Sequence, residues 1–240
     1  MHLFYTPGVS GNPIQLDETE SGHAIKVLRL RTGDPVVVVD GTGGWHEGTI
    51  ADPHHKRCMV QVDRQVMDFE KRNYEVHIAV APTKNSDRLE WFLEKATEIG
   101  IDRMVPLHCT HSERKNINTE RLRKVAISAM KQSLKAWLPE VTELTKFETL
   151  IQEPFEGKKF IAHCYPGEKI HLKDTLKPHD KVLMLIGPEG DFSPEEVEMA
   201  IAHGFTPVTL GDARLRTETA ALVAVMTTSL VCASGLRPRG

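Results

Sequence analysis

The stretch from Lys181 to Leu230 reads KVLMLIGPEGDFSPEEVEMAIAHGFTPVTLGDARLRTETAALVAVMTTSL and decides the fold. It opens on a continuous apolar run, Val182–Ile186, which is typical of a strand buried on both faces of a sheet. Pro207–Leu210 predicts a second short strand, and each strand is followed by a glycine-containing loop and a helix. This order predicts an α/β fold in which both loops leave the same edge of the sheet. Ligands of open α/β sheets bind at that edge.

The two predicted helices of this stretch have clear starts. Ser193 is a favourable N-cap, Pro194 suits the first helical position, and Glu196 completes a capping box. The second helix begins at Thr217 and is predicted to run to Ser234. It is apolar over nearly all of its surface, so we expect it to be buried on more than one side.

The sequence IGPEGDFSPEE followed by LGDARLRTETA resembles the C-terminal signature of the RsmE-like 16S ribosomal RNA uridine N3-methyltransferases. These enzymes form a branch of the SPOUT methyltransferase superfamily. The motif pair is long, ordered and correctly spaced. The resemblance extends upstream through KNSDRLEWFLEKATEIGI, beginning at Lys84, and more weakly through VLRLRTGD, beginning at Val27. It therefore covers most of the chain.

The resemblance implies an α/β fold with a C-terminal SPOUT trefoil-knot sheet, flanking helices and a small N-terminal PUA-like β-barrel domain. It also implies that the knot binds S-adenosyl-L-methionine and that the protein is a homodimer. The expected reaction transfers a methyl group to N3 of a specific uridine in 16S ribosomal RNA, within the assembled small subunit. Two alternatives remain: a SPOUT methyltransferase acting on another RNA, such as the 2'-O-ribose of transfer RNA, and a non-catalytic RNA-binding factor.

The first part of the chain has short segments typical of strands, separated by turn residues. We place a β-rich domain at residues 1–70, a charged linker next, and the methyltransferase domain at residues 73–240. A short helix is predicted over His23–Leu30, and the loop Asp40–Gly44 is predicted to join two strands rather than to bind a dinucleotide. The resemblance implies that the first domain binds RNA; the alternative is a packing or dimerisation module.

Bulk composition describes an ordinary globular protein. With 240 residues, 40% hydrophobic and 26% charged, the chain suits one large domain or two modest ones. It has no apolar run long enough for a membrane span and no signal peptide, so we expect a cytoplasmic protein without a membrane partner. The four cysteines are scattered, which favours reduced thiols.

Charge gives little indication of a nucleic-acid partner, because the net charge is -3. A predicted helix over Thr119–Lys135 nevertheless carries a basic face, whose alternative is ordinary solvation. His108, Cys109 and His111 cluster, but a structural metal site usually shows paired groups of ligands, so no metal is expected.

The resemblance assigns three sets of residues in this chain. The expected cofactor-binding residues are Ile186, Gly187, Pro188, Glu189, Gly190, Leu210, Gly211, Leu215, Arg216 and Thr217. The expected RNA-binding residues are Lys26, Arg29, Lys84, Arg88, Arg114, Arg121, Lys124 and Gln132. The candidate catalytic residues are Arg216 and Glu189.

More than one role is chemically reasonable for each of the two catalytic candidates. Arg216 could stabilise the uracil anion, hold a phosphate or pair structurally with Glu218. Glu189 could bind substrate, act as a base, or only fix its loop. The chain departs from the family at Asp191, where glycine is usual; the side chain could assist helix capping instead. The loop Tyr165–Glu168 is expected to form a third wall of the cofactor pocket.

Overall fold

The computed structural model describes residues 1–233, so the predicted helix end at Ser234 lies outside the described residues. The chain forms two compact units. The first comprises Met1–Lys71 and Ile127–Leu138, and the second comprises Arg72–Ala126 and the chain from Pro139 onward. No helix within residues 1–233 combines the length and the apolar character that crossing a membrane requires.

The first unit is built on a five-stranded mixed sheet. Its elements are β1 (Leu3–Tyr5), β2 (Ile14–Gln15), α1 (Glu18–Gly22), a π-helical turn (His23–Val27), β3 (Pro35–Val39), β4 (Trp45–Asp52) and β5 (Met59–Val66). The strand order is β1-β3-β4-β5-β2. The predicted β-rich fold of this part of the chain and the β3–β4 hairpin are confirmed, and the compact unit also includes Ile127–Leu138. The single helix predicted over His23–Leu30 is wrong, because an α-helical turn precedes the π-helical turn and Arg29 has a left-handed backbone.

The second unit is an α/β layer structure, as the sequence predicts. Its elements are β6 (Glu75–Val80), α2 (Ser86–Ile99), β7 (Arg103–His108), α3 (Thr119–Gln132), β8 (Glu140–Val141), β9 (Thr145–Lys146), α4 (Phe147–Leu150), β10 (Lys158–Ala162), β11 (Ile170–His171), α5 (Leu172–Thr175), β12 (Lys181–Ile186), α6 (Pro194–Ala202), β13 (Thr206–Thr209) and α7 (Thr217–Cys232). Helix α3 begins in this unit and ends in the first one.

The eight-stranded sheet of the second unit has the order β11-β13-β10-β12-β6-β7-β8, with β9 pairing beside β7. Every strand pair in it is parallel. Strand β12 lies centrally and is buried along Val182–Ile186, which explains its uninterrupted apolar sequence. Because the strands are parallel, the loops that follow β10, β12 and β13 all leave the same edge of the sheet.

The helix starts follow local chemistry. Ser193 and Glu196 form the predicted capping box at the start of α6, with bonds of 3.2 and 2.8 Å. Helix α2 is capped by Asn85, whose side chain accepts a 3.0 Å bond from the Asp87 backbone amide. Behind the sheet edge, a buried core that includes Phe147, Leu185 and Phe192 packs the helices onto the strands.

Candidate active site

A cleft of about 890 Å³ lies at the carboxyl edge of the second unit's sheet. Its floor includes Ala162, Ile186 and Val208, which lie at or next to the carboxyl ends of three neighbouring parallel strands. Its walls are the loops between β12 and α6 and between β13 and α7. The size is within the usual range for small-molecule sites, roughly 300–1,000 Å³. The strand order therefore produces a ligand-sized cleft where sequence reasoning placed one.

All ten residues expected to bind the cofactor line this one cleft. They are Ile186, Gly187, Pro188, Glu189, Gly190, Leu210, Gly211, Leu215, Arg216 and Thr217. The hydroxyl of Thr217 donates a 3.0 Å hydrogen bond to the carbonyl oxygen of Gly187, which joins the two walls. A Cβ atom at Gly187 would lie 3.1 Å from the Phe192 ring, closer than ordinary van der Waals contact, so a side chain there would require the ring to shift.

The third wall is formed differently from the expectation. Tyr165–Glu168 do not line the cleft; the flanking residues Ala162, His163, Cys164 and Lys169 do. The Lys169 ammonium donates to the carbonyl oxygens of His163 and Tyr165 at 2.8 and 2.6 Å, so it ties this loop together. Sequence reasoning missed these lining residues, although their position just after β10 was a usable signal.

Burial and nearby charges shift the pKa values of two titratable groups on this wall. Burial lowers the pKa of His163, and the nearby Lys169 ammonium adds to that effect, so the imidazole favours its neutral form. Burial raises the pKa of the Cys164 thiol, and the Asp191 carboxylate raises it further. The thiol therefore favours its protonated, weakly nucleophilic form.

Asp191 has a conformation and contacts that differ from the predicted helix cap. Its φ is +63°, in the left-handed region. Its carboxylate accepts a 2.7 Å bond from the Cys164 backbone amide and a 2.8 Å bond from the amide of Phe192. Helix α6 is capped by Ser193 instead. The capping role suggested for Asp191 is therefore wrong, and its side chain connects two walls of the cleft.

Arg216 lies at the N-cap position of α7, on the wall of the cleft, and is exposed. Its guanidinium has no hydrogen bond or ion pair within residues 1–233. The expected structural alternative, a pair with Glu218, is not formed. Glu218 is 7% exposed and faces Arg88, whose Nε lies 3.7 Å from Oε1. Arg216 is thus left available to a ligand.

The side chain of Glu189 is held by a backbone amide. Its Oε1 accepts a 3.1 Å bond from the amide of Lys84, in the loop between β6 and α2. The guanidinium of Arg114 donates to the Lys84 carbonyl oxygen at 3.0 Å, and the Lys84 ammonium pairs with Glu113 at 3.1 Å. The carboxylate of Glu189 therefore contacts a loop that carries Lys84, beside the cleft.

The residues expected to bind RNA fall into two groups. Lys84, Arg88 and Arg114 converge beside the cleft, and Arg121 pairs with Glu90 through its Nε at 2.7 Å. The second group has no side-chain ion pair or hydrogen bond within the described chain. Its members are Lys26, Arg29, Lys124 and Gln132. Lys26, Arg29 and Gln132 belong to the first unit.

The cluster of His108, Cys109 and His111 has the contacts of ordinary structure. Cys109 is buried, and burial raises the pKa of its thiol strongly. The Nδ1 of His111 donates to the carbonyl oxygen of Asp191 at 3.0 Å. Among residues 1–233, no group of three or more histidine, cysteine or carboxylate side chains is arranged to hold a metal ion.

Two family models match the chain. The model described as an RNA methyltransferase domain matches residues 70–229, and the model described as an RNA methyltransferase PUA domain matches residues 16–63. The first match contains the whole cleft. The second lies within the five-stranded unit.

Solved and curated proteins of similar sequence agree with these models. A "probable rRNA-methyltransferase" from Porphyromonas gingivalis is 43% identical, with a TM-score of 0.87 over 94% of this chain and 96% of its own. A Legionella pneumophila methyltransferase solved with its bound cofactor S-adenosylmethionine is 25% identical, with a TM-score of 0.84 over 95% and 96%. The ribosomal RNA small subunit methyltransferase E of Synechocystis sp. is 30% identical over 83% of this chain and 67% of its own length. The chain therefore belongs to the RNA methyltransferase family, among the relatives of the ribosomal RNA small subunit methyltransferase E proteins.

Proposed function

We propose that this protein transfers a methyl group from S-adenosylmethionine to N3 of a specific uridine in 16S ribosomal RNA. The observation that supports this most is a single cleft at the sheet edge, lined by both glycine-containing loops of the family signature. Relatives named ribosomal RNA small subunit methyltransferase E supply the substrate class. The names of these relatives and the resemblance of both motifs favour this substrate over transfer RNA.

The cleft fits the proposed cofactor. It has the volume for a nucleoside with an amino-acid tail, an apolar floor, and glycines where a ligand must approach the backbone. We assign the loops Ile186–Gly190 and Leu210–Thr217 to holding it. When bound, this cofactor supplies an electrophilic methyl group on a sulfonium. The Thr217–Gly187 hydrogen bond fixes the spacing of these two loops before binding.

Arg216 is the residue we assign to the chemistry. Uridine N3 carries a proton whose pKa lies well above neutral, and this proton must leave to solvent as the methyl group is transferred from the sulfonium to N3. A nearby cation that stabilises the resulting uracil anion therefore lowers the barrier. The Arg216 guanidinium is exposed, lines the cleft and has no partner within the described residues. Glu189 is the second candidate; its bond to the Lys84 amide favours a positioning role over that of a base.

We propose that RNA is held by both parts of the chain. We assign residues 1–70 to the PUA-like RNA-binding domain and residues 73–240 to the methyltransferase domain, with the segment Ile127–Leu138 of the latter belonging to the first compact unit. In the second domain, we assign Lys84, Arg88 and Arg114 to the phosphates that flank the target uridine, because the Lys84 amide binds the cleft residue Glu189 and Arg114 contacts the Lys84 carbonyl oxygen. Arg121 and Lys124 extend this surface along α3. Lys26, Arg29 and Gln132 are cations or amides of the first unit with free side chains, suited to phosphate and sugar contacts.

The C-terminal helix supports two further parts of the proposal. Strand β13 lies beyond β10, whereas α7 packs against α2 and β6 on the other side of β12, so we infer that the chain threads back as a trefoil knot. Trp91, Met226 and Leu230 on α2 and α7 are 44%, 43% and 73% exposed. We propose that a second copy covers this apolar face to form a homodimer. Light scattering at micromolar concentration that reports a monomer would rule out the dimer.

The substrate is tested by mass spectrometry of digested ribosomal RNA from cells with and without the gene. We expect one N3-methyluridine of the 16S RNA to be missing when the gene is missing. A lost 2'-O-methyl group in transfer RNA would indicate the other substrate. If the purified enzyme methylates small ribosomal subunits but not naked RNA, the assembled subunit is the substrate. This substrate fits the cytoplasmic location that we propose for the protein. No change in any modified nucleoside would favour a non-catalytic factor.

A further inference from the structure

Asp191 has a left-handed backbone that few side chains adopt. Its φ is +63°, and a non-glycine residue in this region costs roughly 1–2 kcal/mol, least for asparagine and aspartate. The backbone amide of Asp191 donates to the carbonyl oxygen of Pro188 at 2.9 Å, which closes the turn between β12 and α6. The conformation therefore belongs to the turn, and the side chain is free to serve another purpose.

The side chain of Asp191 holds a second loop. Its Oδ2 accepts a 2.7 Å hydrogen bond from the backbone amide of Cys164. Strand β10 ends at Ala162, so Cys164 lies beyond the sheet, and within residues 1–233 its amide has no other hydrogen-bond acceptor. Without the carboxylate, the loop after β10 would lose this attachment.

The backbone carbonyl of Asp191 holds a third loop. It accepts the 3.0 Å bond from Nδ1 of His111, which follows β7. One residue thus connects the loops that follow β7, β10 and β12. Asp191 and Cys164 both line the cleft.

We propose that Asp191 is a positioning residue of the cleft: its carboxylate clasps the Cys164 amide and so sets the distance between two cleft walls before the cofactor binds. A wall that is already ordered costs less conformational entropy on binding, which increases affinity. This inference rests on the proposed function, since it takes S-adenosylmethionine as the ligand. It is independent of helix capping, because α6 is capped by Ser193 and Glu196.

Two substitutions distinguish the effect of the Asp191–Cys164 hydrogen bond from the effects of the backbone conformation and of the carboxylate charge. Asp191→Gly keeps the left-handed turn without steric cost but removes the carboxylate. Asp191→Asn tolerates the same conformation and keeps an oxygen that can accept from Cys164, but it removes the charge. The full-length variants are compared with the unaltered protein by calorimetry, using S-adenosylmethionine and S-adenosylhomocysteine, its product without the sulfonium charge, as separate ligands.

The clasp predicts that Asp191→Gly lowers the affinity for both ligands by about tenfold, which is the scale of one hydrogen bond that orders a loop. Asp191→Asn should stay within about threefold of the unaltered protein for both ligands. In steady-state kinetics, Asp191→Gly should raise the KM for the cofactor while kcat at saturation is retained, a split that a general loss of stability would not produce.

Three results would overturn the inference. Unchanged affinity in Asp191→Gly would show that the clasp does not order the cleft. Weaker binding of S-adenosylmethionine alone, in both variants, would show that the carboxylate acts through its charge. A lower melting temperature with unchanged affinity would make the residue structural. If the unaltered protein bound neither ligand, the proposed function itself would fail and this inference with it.

Discussion

The hydroxyl of Thr217 donates a hydrogen bond of 3.0 Å to the carbonyl oxygen of Gly187, thirty positions earlier in the chain. Both residues are buried, although both lie on the wall of the cleft. This bond connects the start of α7 to the end of β12, so the two loops of the family signature form one rigid site.

Thr217→Val should weaken binding of the cofactor. Valine has nearly the same shape but no donor, so the buried Gly187 carbonyl loses its hydrogen bond, at a cost of about 1–3 kcal/mol. Part of that cost should appear as an increase in Kd for S-adenosylmethionine of about fivefold or more, measured by calorimetry. Thr217→Ser, which keeps the hydroxyl, is the control and should bind nearly as the unaltered protein does. Equal affinities of the two variants would contradict this role.

Arg216→Ala should lower kcat by about two orders of magnitude, the usual scale for removing one positioned electrostatic donor. Its Kd for the cofactor should change little, and Arg216→Lys should recover only part of the rate, because lysine lacks the planar fork. Arg214→Ala is a matched comparison from the same loop, also exposed and without a partner among the described residues. It should retain kcat within about threefold of the unaltered rate, since we assign it no part in the chemistry.

The same Arg216 variant distinguishes the other roles. A phosphate contact predicts weaker RNA binding with a shallower salt dependence and an unchanged rate at saturating RNA. An unaltered kcat for Arg216→Ala would remove the residue from the chemistry.

Lys131→Met should destabilise the first unit by about 3–5 kcal/mol. The Lys131 ammonium lies 2.8 Å from Oε2 of Glu20, and the two side chains are only 19% and 10% exposed. Methionine would leave the Glu20 carboxylate buried without its counter-ion. Lys56→Met breaks the exposed pair with Glu18 and should cost no more than about 1 kcal/mol.

Tryptophan fluorescence can report this loss of stability in the first unit specifically. Trp45 and Trp137 lie in the first unit and Trp91 in the second, so denaturation is followed in a Trp91→Phe background. Equal midpoints for the lysine variants would show that the buried pair contributes no more than the exposed one.

Stability should fall as the pH drops below about 6.5, the ordinary pKa of histidine. Burial lowers the pKa of His77 in the folded protein, and Nδ1 of this ring has no hydrogen-bond partner among residues 1–233. The unfolded chain then binds more protons than the folded one, so the free energy of unfolding rises with pH in this window and is fully present above it.

His77→Phe should flatten that dependence, because phenylalanine fills the same space against Phe155 and cannot titrate. Unfolding by urea at pH 7.5 and 5.5 gives the comparison, and exposed His203→Gln is the control. A slope in the His77 variant as steep as in the unaltered protein would assign the effect elsewhere.

The sheet and the cleft were predictable because their signals are local. An apolar run at Val182–Ile186, a capping box at Ser193 and a glycine after each strand each specify one element, and parallel strands bring their loops together. The third wall was not predictable in detail. Whether Cys164 or Tyr165 faces the cleft depends on a bond to Asp191, twenty-seven residues later, which no periodicity encodes.

Long-range packing explains the other differences. The helix expected over His23–Leu30 has the right composition, but the left-handed backbone of Arg29 ends it early. The segment from Glu140 to Lys146 forms two short strands, β8 and β9, which pair with successive parts of β7. Such choices depend on a partner strand, not on the segment itself.

Helix α3 has a consequence for the order of folding during synthesis. Its second half, together with the segment to Leu138, belongs to the same compact unit as residues 1–71. Met130 and Ala136 are part of a buried cluster with Val39 and Trp45. The amino-terminal unit therefore cannot complete its core when residue 71 leaves the ribosome; it must wait until residue 138 has been made. One buried cluster of this unit, which includes Phe4 and Val60, can form from the first segment alone, whereas the cluster with Met130 and Ala136 needs the later one.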